Sequence, residues 1–491
     1  MELSETNPKL QSELKLFDVT NLVVGAIIGA DIYVAASFGA EYLGPISLLV
    51  WVIAGIMAII IALCFAQCAA LLPSVGGPYA YAKDAWGPFP GFMVGWSLWL
   101  AEWMSLAVFP IAFVRYLMFF YPDLGWEYQV LVKGLFIAFL TLTNIIGIKA
   151  AGRTNDILTL AKITPLIFFA AIGLIFIISH PTATSSNLSP FSPLGLSNFG
   201  IAFVLIFWAY AGFEISTIPA DEIKDPGKTI PKAIILGISI VTIFYLITNF
   251  VLFGVRPWNK LASDTAPLAE ATTDALSINP TWVVIGGLIV GIGALISVAG
   301  SDESGMIGTS RLGYALAADG LFPHAFAKVH PKYKTPYLAI IIQGVTALIA
   351  AIIGNLGTLI ATSVFLLSIA YLATSASVFS LRKKYPEPKF QLKGGSLIPI
   401  LGIIFSLFLI SQCKITQITI GLALLFFGIL IYARYSPKEE IPALKKVLLS
   451  RDSVLARAYK EEEKFLAYII RRIKRFYRRI TGKQQTWDKI V

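Results

Sequence analysis

Charge is scarce in this chain. Asp, Glu, Lys and Arg supply 14% of its 491 residues and hydrophobic residues 56%, whereas soluble domains carry roughly 25% charged residues. A string of soluble domains is therefore excluded, although length alone would suggest about three. Cysteine is equally sparse. Cys64, Cys68 and Cys413 give no disulfide framework. Cys64 and Cys68 stand four apart without a histidine or acid beside them, and read as small packing residues and not as a metal pair. The three histidines, His180, His324 and His330, fall at the ends of apolar runs or in a connection. No cluster of ligands and no activated nucleophile forms, which argues against metal-dependent and nucleophilic enzymes. No catalytic residue, metal or cofactor is expected. No small-residue cleavage site follows the polar stretch 1–14, so the first helix is expected to be retained.

What the chain has in abundance is long apolar runs, each of the roughly 20 residues that a helical span needs. Taken in order they predict about twelve spans, near 17–42, 45–72, 89–120, 128–148, 157–178 and 199–220, then 231–254, 282–315, 337–353, 356–381, 397–411 and 416–432. The expected fold class is an all-α polytopic membrane protein. It divides into a short N-terminal segment, 1–15, a transmembrane domain, 16–434, and a basic tail, 435–491.

Orientation follows from the cations. An even number of spans puts both termini on one side, and the loops there carry Lys149, Arg153, Lys224, Lys228, Lys232, Lys328, Lys332, Lys334, Arg382, Lys383 and Lys384. The opposite loops hold Arg115, Lys133, Arg256, Lys260 and Lys414. Positive-inside bias places both termini in the cytoplasm, and the expected location is the cell (plasma) membrane. The tail holds most of the net charge of +10: fifteen Lys/Arg against seven Asp/Glu between 438 and 489 give +8. Leu466, Ile469, Ile470, Ile473, Phe476 and Ile480 keep helical spacing among Arg471, Arg472, Lys474, Arg475, Arg478 and Arg479. That is a basic amphipathic helix suited to anionic lipid, with a solvated or partner-binding helix as the alternative. A membrane anchor accounts for the charge without nucleic acid.

Two spans break the apolar pattern. The first reads Gly25-Ala-Ile-Ile-Gly29-Ala-Asp31-Ile-Tyr33, and the sixth Phe207-Trp208-Ala-Tyr210-Ala-Gly212-Phe213-Glu214. Glycine beside an acid at membrane depth marks a helix that unwinds for function, or one that only packs closely. Spans one and six are equivalent members of two five-helix halves. Matching interruptions there point to an inverted-repeat transporter with its site between the breaks.

At these residues the chain resembles the amino acid–polyamine–organocation superfamily. Gly29-Ala30-Asp31-Ile32-Tyr33 is similar to its first-span Gly-Ser-Gly-Ile-Phe, and Phe207 to Glu214 to its sixth-span signature. Asp221-Glu222-Ile-Lys224-Asp225-Pro226, Ile230-Pro231-Lys232-Ala233, Ser310-Arg311-Leu312, Asp319-Gly320-Leu321-Phe322-Pro323 and Gly76-Gly77-Pro78-Tyr79 also resemble family motifs. The resemblance spans 16–432. It implies the leucine-transporter-type fold, a 5+5 inverted repeat plus two helices, and a small-molecule substrate, an amino acid or a related amine.

The resemblance also implies site residues. Ile28, Gly29, Ala30 and Asp31 of span one would hold a substrate carboxylate on open N–H groups, and Phe207, Trp208, Ala209 and Tyr210 of span six would face its ammonium. Trp208 takes the gate position, with aromatic packing as the alternative for it and for Tyr210. Lys162 matches the lysine that, in sodium-independent members, puts its ammonium where sodium sits in sodium-coupled relatives. The alternative is a snorkelling lysine near a membrane end. A buried amine there can load and release a proton. Glu214 matches a cytoplasmic-side gate acid, or caps a half-helix. Glu303 is a further coupling candidate, and helical geometry allows only one of Asp302 and Glu303 to face the site. Glu102 also falls at depth.

Asp31 departs from the family's glycine. Its carboxylate either binds an amine or cation directly, or titrates in proton coupling. Ethanolamine-type permeases of the superfamily carry a similar Gly-Asp. The reading is thus a sodium-independent permease, proton-coupled or exchanging, for amino acids or related amines. A polyamine or ethanolamine-type amine carrier, or an inorganic cation carrier, is the alternative, with a channel a more distant rival. Deleting residues 440–491 is expected to weaken binding to vesicles containing anionic lipid and to leave substrate affinity within a few-fold of the full chain, measured side by side in flotation and binding assays.

Overall fold

The computed structural model of the chain describes residues 14–146, 151–218, 220, 223–388, 390–391 and 394–436, without the side chains of 151–160. Lys149, Asp221, Glu222, the Arg153 side chain and the basic tail from Lys438 lie outside the described residues. Within the compact unit Met1–Tyr432 the described residues form helices and one isolated bridge, between Leu14 and Ile223, but no strand.

An apolar medium leaves the backbone no hydrogen-bond partner but itself, so the apolar runs close into helices. In chain order these are α1 (Leu16–Ile27), α2 (Ala30–Tyr42), α3 (Ser47–Leu71), α4 (Pro78–Trp86), α5 (Pro88–Leu117), α6 (Trp126–Ile146), α7 (Ala151–Ser179), α8 (Pro181–Asn187) and α9 (Phe199–Phe207). They continue as α10 (Pro226–Val255), α11 (Trp258–Leu261), α12 (Pro267–Ala275), α13 (Pro280–Ala318), α14 (Tyr337–Ile353), α15 (Leu356–Lys384), α16 (Leu397–Gln412) and α17 (Ile415–Tyr435). Start signals are local. Proline opens α4, α5, α10, α12 and α13, where its missing N–H is not needed. Asn279 and Asn355 cap α13 and α15 by accepting from backbone N–H groups of the first turn.

Among the described residues nine helices are long and apolar enough to cross a membrane, and α1 with α2, bent by 41°, makes a tenth candidate. The two remaining predicted spans, 337–353 and 397–411, are the shorter apolar helices α14 and α16. The chain is an integral, multi-pass membrane protein. Two predicted spans are not continuous helices. The first, 17–42, breaks after Ile27, and the sixth, 199–220, is α-helical only to Phe207 before passing into 3-10 turns. Both broken spans lie inside the bundle: α1 packs against α7, α10 and the 3-10 stretch Phe213–Thr217, while α2 packs against α9.

Ionic clasps close the two ends of the bundle. At one end, after α10, Arg256 takes Asp264 in a two-pronged contact of 2.6 and 2.9 Å, reaches Asp274 at 2.5 Å and lies 3.5 Å from Glu270. Partial burial raises the Glu270 carboxyl above its ordinary value, and the pull of Arg256 opposes this. The clasp ties α12 to the end of α10, with α12 packed on α2, α7 and α13. At the other end Asp319, just past α13, accepts from Tyr79 and from Lys83 at 2.6 Å, and Lys384 meets Asp84 at 2.5 Å. These are more exposed and contribute less.

Removing Arg256 would leave Asp264, Glu270 and Asp274 together without their cation. Arg256→Met is expected to cost about 3 kcal/mol, the usual scale for breaking a largely buried pair. Its melting temperature should fall by several degrees at pH 7.5. The deficit should shrink at pH 5, because the raised Glu270 carboxyl takes up a proton more readily once the pull of Arg256 is gone, which relieves the repulsion that the substitution exposes. Detergent-solubilised thermal unfolding at both pH values checks this.

Candidate functional site

The break in span one is two residues wide. Ile28 is extended and Gly29 leaves helical geometry, so α1 ends and α2 begins with no continuous hydrogen-bond ladder between them. Carbonyls at the end of α1 lose their helical partners and need donors from elsewhere. Three side chains supply them. Ser301 of α13 donates to the Ile28 carbonyl at 2.8 Å. The Tyr245 hydroxyl of α10 stands 3.1 Å from the Ile27 carbonyl and 3.3 Å from Asp31 Oδ2. Lys162 of α7, only 2% exposed, donates to Ser301 Oγ at 3.1 Å and to the Gly25 carbonyl at 3.4 Å. An ammonium at the C-terminal end of a half-helix also meets the negative pole of its dipole.

Glycine at position 29 is a matter of space. A Cβ there would stand 2.8 Å from both Cβ and Oγ of Ser301, so a side chain would push α13 away from the break. The second break meets the first. Gly212 has φ of +118°, which only glycine adopts without strain, and a Cβ on it would lie 2.6 Å from the Ala26 carbonyl oxygen. The unwound segment of span six thus touches the last turn of α1, just before the break, backbone to backbone.

A cavity opens beside this contact. Its wall includes Asp31, Glu102, Ser105, Phe109, Trp208 and Ser301, together with Ala26, Gly212 and small or apolar neighbours. Trp208 donates from its indole to Ser105 Oγ at 3.2 Å and packs against Phe109. The aromatic face at this point belongs to the cavity.

The other predicted residues are placed as follows. Ile28, Gly29 and Ala30 form the break itself. Phe207 is buried against Phe203 and Tyr371. Ala209 is buried in the 3-10 turn, and Tyr210 points to span two, donating to the Trp51 carbonyl at 2.8 Å. Among the described residues Asp31 makes no ion pair with Lys162, although the two are within electrostatic reach. Glu303 is half-buried and also within reach of Lys162. Asp302 is fully buried with neither carboxylate oxygen hydrogen-bonded. Glu214, fully buried, accepts from Tyr371 at 3.2 Å, and its carboxyl adjoins that of Glu102. No group of three or more metal-ligating side chains occurs among the described residues.

Sequence reading passed over Tyr245, Ser105 and Tyr371, and did not single out Ser301. All four are ordinary polar or aromatic residues within apolar runs, and only the helix facing them gives them a partner.

Two unwound spans in contact, with a lysine held at the break, are an arrangement that known carriers can be compared with. The profile of the amino acid permease family matches residues 14–437. The chain belongs to the amino acid permease family. It is similar to a branched-chain amino acid permease of Bacillus subtilis, 32% identical over 458 residues that cover 88% of this chain and 94% of the relative. A methylthioribose transporter of the same organism is 28% identical over 88% of this chain and 95% of its own length. A serine/threonine exchanger, again from Bacillus subtilis, is 28% identical over 85% and 94%. This permease is therefore a transporter and not an enzyme, and the break between α1 and α2 is where its backbone is open.

Because Gly212 and Ala26 meet without room for a side chain, Gly212→Ala should strain both breaks by about 1–3 kcal/mol. The variant is expected to melt several degrees lower and to lose most of any ligand-induced thermal shift, measured in detergent with and without an amino acid mixture.

Proposed function

We propose that this permease is a secondary active carrier of amino acids or related amines, sodium-independent and coupled to protons or working by exchange. One observation carries the coupling: the Lys162 ammonium sits between the Gly25 carbonyl of span one and Ser301 of span eight. A sodium ion bound there would need these same oxygens, and an ammonium already engages them. A lysine so placed gains or loses its proton as the break opens and closes, which links proton movement to access.

In this reading the bundle is a five-plus-five inverted repeat with two helices appended, twelve spans in all, in the cell membrane with both termini cytoplasmic. Residues 16–434 form the transport domain, and the tail 435–491 rests on anionic lipid. The open backbone of Ile28, Gly29 and Ala30, with Asp31, and the turn Phe207–Tyr210 form the substrate site. Trp208 gates it from one side and Glu214 seals it on the cytoplasmic side. Glu303, within reach of Lys162, tunes the ammonium's charge. The named relatives include carriers of branched-chain amino acids and of serine and threonine, which supports a solute of that size.

Replacing sodium by choline at constant pH should leave uptake into proteoliposomes intact. Lys162→Ala should lose accumulation driven by a pH gradient, at least tenfold, while keeping exchange at equal pH. A strict sodium requirement in the unmutated chain would sink the proposal.

A further inference from the structure

Two buried hydroxyls stand unsatisfied one turn from the junction at Lys162. Tyr33 of α2 and Ser297 of α13 are fully enclosed, and neither Tyr33 Oη nor Ser297 Oγ has a hydrogen-bond partner among the described residues. They adjoin each other. Tyr33 takes the place of the phenylalanine in the first-span motif, so its hydroxyl is this chain's own addition. Ser297 is as unusual. The buried hydroxyls of Thr242, Thr272, Thr309 and Ser368 donate to the carbonyl four residues back in their helices, the ordinary way to satisfy them. Ser297 leaves that bond unmade. A buried hydroxyl left without a partner is costly, and here two adjoin.

Helical register ties the pair to Lys162. A Cβ at Gly29 would meet Ser301. Tyr33 lies one turn along α2 from Gly29, as Ser297 lies one turn along α13 from Ser301. Side chains four apart on a helix stand roughly 5–6 Å from each other. That gap between Ser297 and Ser301 is too wide for a direct hydrogen bond and is the span of one bridging water. Ser301 Oγ, which donates to the Ile28 carbonyl and accepts from Lys162, keeps a lone pair for it. A buried water makes about three hydrogen bonds to polar groups that would otherwise go without. Tyr33 Oη, Ser297 Oγ and Ser301 Oγ supply them.

The charged groups within reach of the Lys162 ammonium are Asp31 and Glu303, and the hydroxyls of Tyr245 and Tyr116 flank Tyr33. Tyr116 of α5 donates to the Tyr33 carbonyl at 3.0 Å and meets the backbone of Leu268 in α12, the helix that Arg256 clasps. The polar line from Lys162 thus leads toward that end of the bundle.

We propose that Tyr33, Ser297 and Ser301 hold a single water, and that this water carries the Lys162 proton toward the end closed by Arg256. The Lys162 ammonium passes a proton to Ser301 Oγ as the Ser301 hydroxyl proton passes to the water. The water hands one of its own protons to the Tyr33 hydroxyl, and solvent water entering from that end takes the proton that Tyr33 releases. Lys162 is left neutral, and loading runs the same steps backward. This rests on the carrier reading above and gives its proton a route.

Radiolytic labelling tests the water without any substrate. Hydroxyl radicals formed from a bound water oxidise the side chain beside it, so in the full-length chain Tyr33 should label although it is fully enclosed. Exposed Tyr121 and Tyr128 are the positive controls, and Tyr210, equally buried but bonded to the Trp51 carbonyl, is the negative one. Ser297→Val should cut Tyr33 labelling by about tenfold, the scale of one lost hydrogen-bond partner, and Ser297→Thr, which keeps the hydroxyl, should retain it. The second measurement uses proteoliposomes supplied with a labelled amino acid mixture. The ratio of accumulation driven by a pH gradient to exchange at equal pH should fall about tenfold in Ser297→Val and Tyr33→Phe and hold in Ser297→Thr. A merely structural role would lower both rates together. Tyr33 labelling no stronger than Tyr210 in the unmutated chain overturns the proposal and needs no variant to fold. An unchanged ratio in folded Ser297→Val overturns it too. Exchange without gradient-driven accumulation by the unmutated chain removes the proton route and leaves the exchanger reading standing. Neither exchange nor accumulation by folded protein removes the carrier reading and the route with it, whatever the labelling shows.

Discussion

The arrangement depends on how the chain deals with carbonyl oxygens set free at membrane depth. Ending α1 at Ile27 opens hydrogen bonds in a medium where each unsatisfied group costs several kcal/mol. The structure answers with three donors from three helices, Lys162 from α7, Tyr245 from α10 and Ser301 from α13. Each has a second partner in the same cluster: Lys162 on Ser301, Tyr245 beside Asp31. Opening the span therefore commits three neighbouring helices to one spot. A local interruption becomes a tertiary junction, and movement of any one helix is felt by the other two.

That junction also explains the placement of small residues. Gly29 lets Ser301 reach the break, and Gly212 lets the second interrupted span lie directly on the first. Had either position carried a side chain, the broken spans would stand apart, and the cavity beside Trp208 and Asp31 would lose a wall. The ionic clasps work at longer range. Arg256 with three acids at one end, and Lys83 with Asp319 at the other, join neighbouring elements at the two ends of the bundle. Their differing exposure means that they differ in strength.

The distribution of charge within the membrane is economical. Lys162 sits at the negative end of a half-helix, where the backbone itself stabilises it. The acids Asp31, Glu102 and Glu214 group around the cavity and its floor. The two signs are held apart by Ser301 and the break, and not neutralised in a salt bridge.

Sequence by itself determined the class of molecule, because long apolar runs admit helices and little else in a bilayer. It also located both interruptions, since glycine beside an acid is costly at that depth wherever the chain folds. The position of Lys162 in span five, and the anomaly of Asp31, were legible for the same reason. Partnership was not. Nothing in the order of residues says that Tyr245 meets Ile27 and Asp31, that Glu102 adjoins Glu214, or that Tyr210 turns away to span two while Trp208 faces the cavity. Helical periodicity gives the face on which a side chain lies, but which helix covers that face depends on packing between segments more than a hundred residues apart. Only the tertiary structure decided those pairs, and with them which side chains line the cavity.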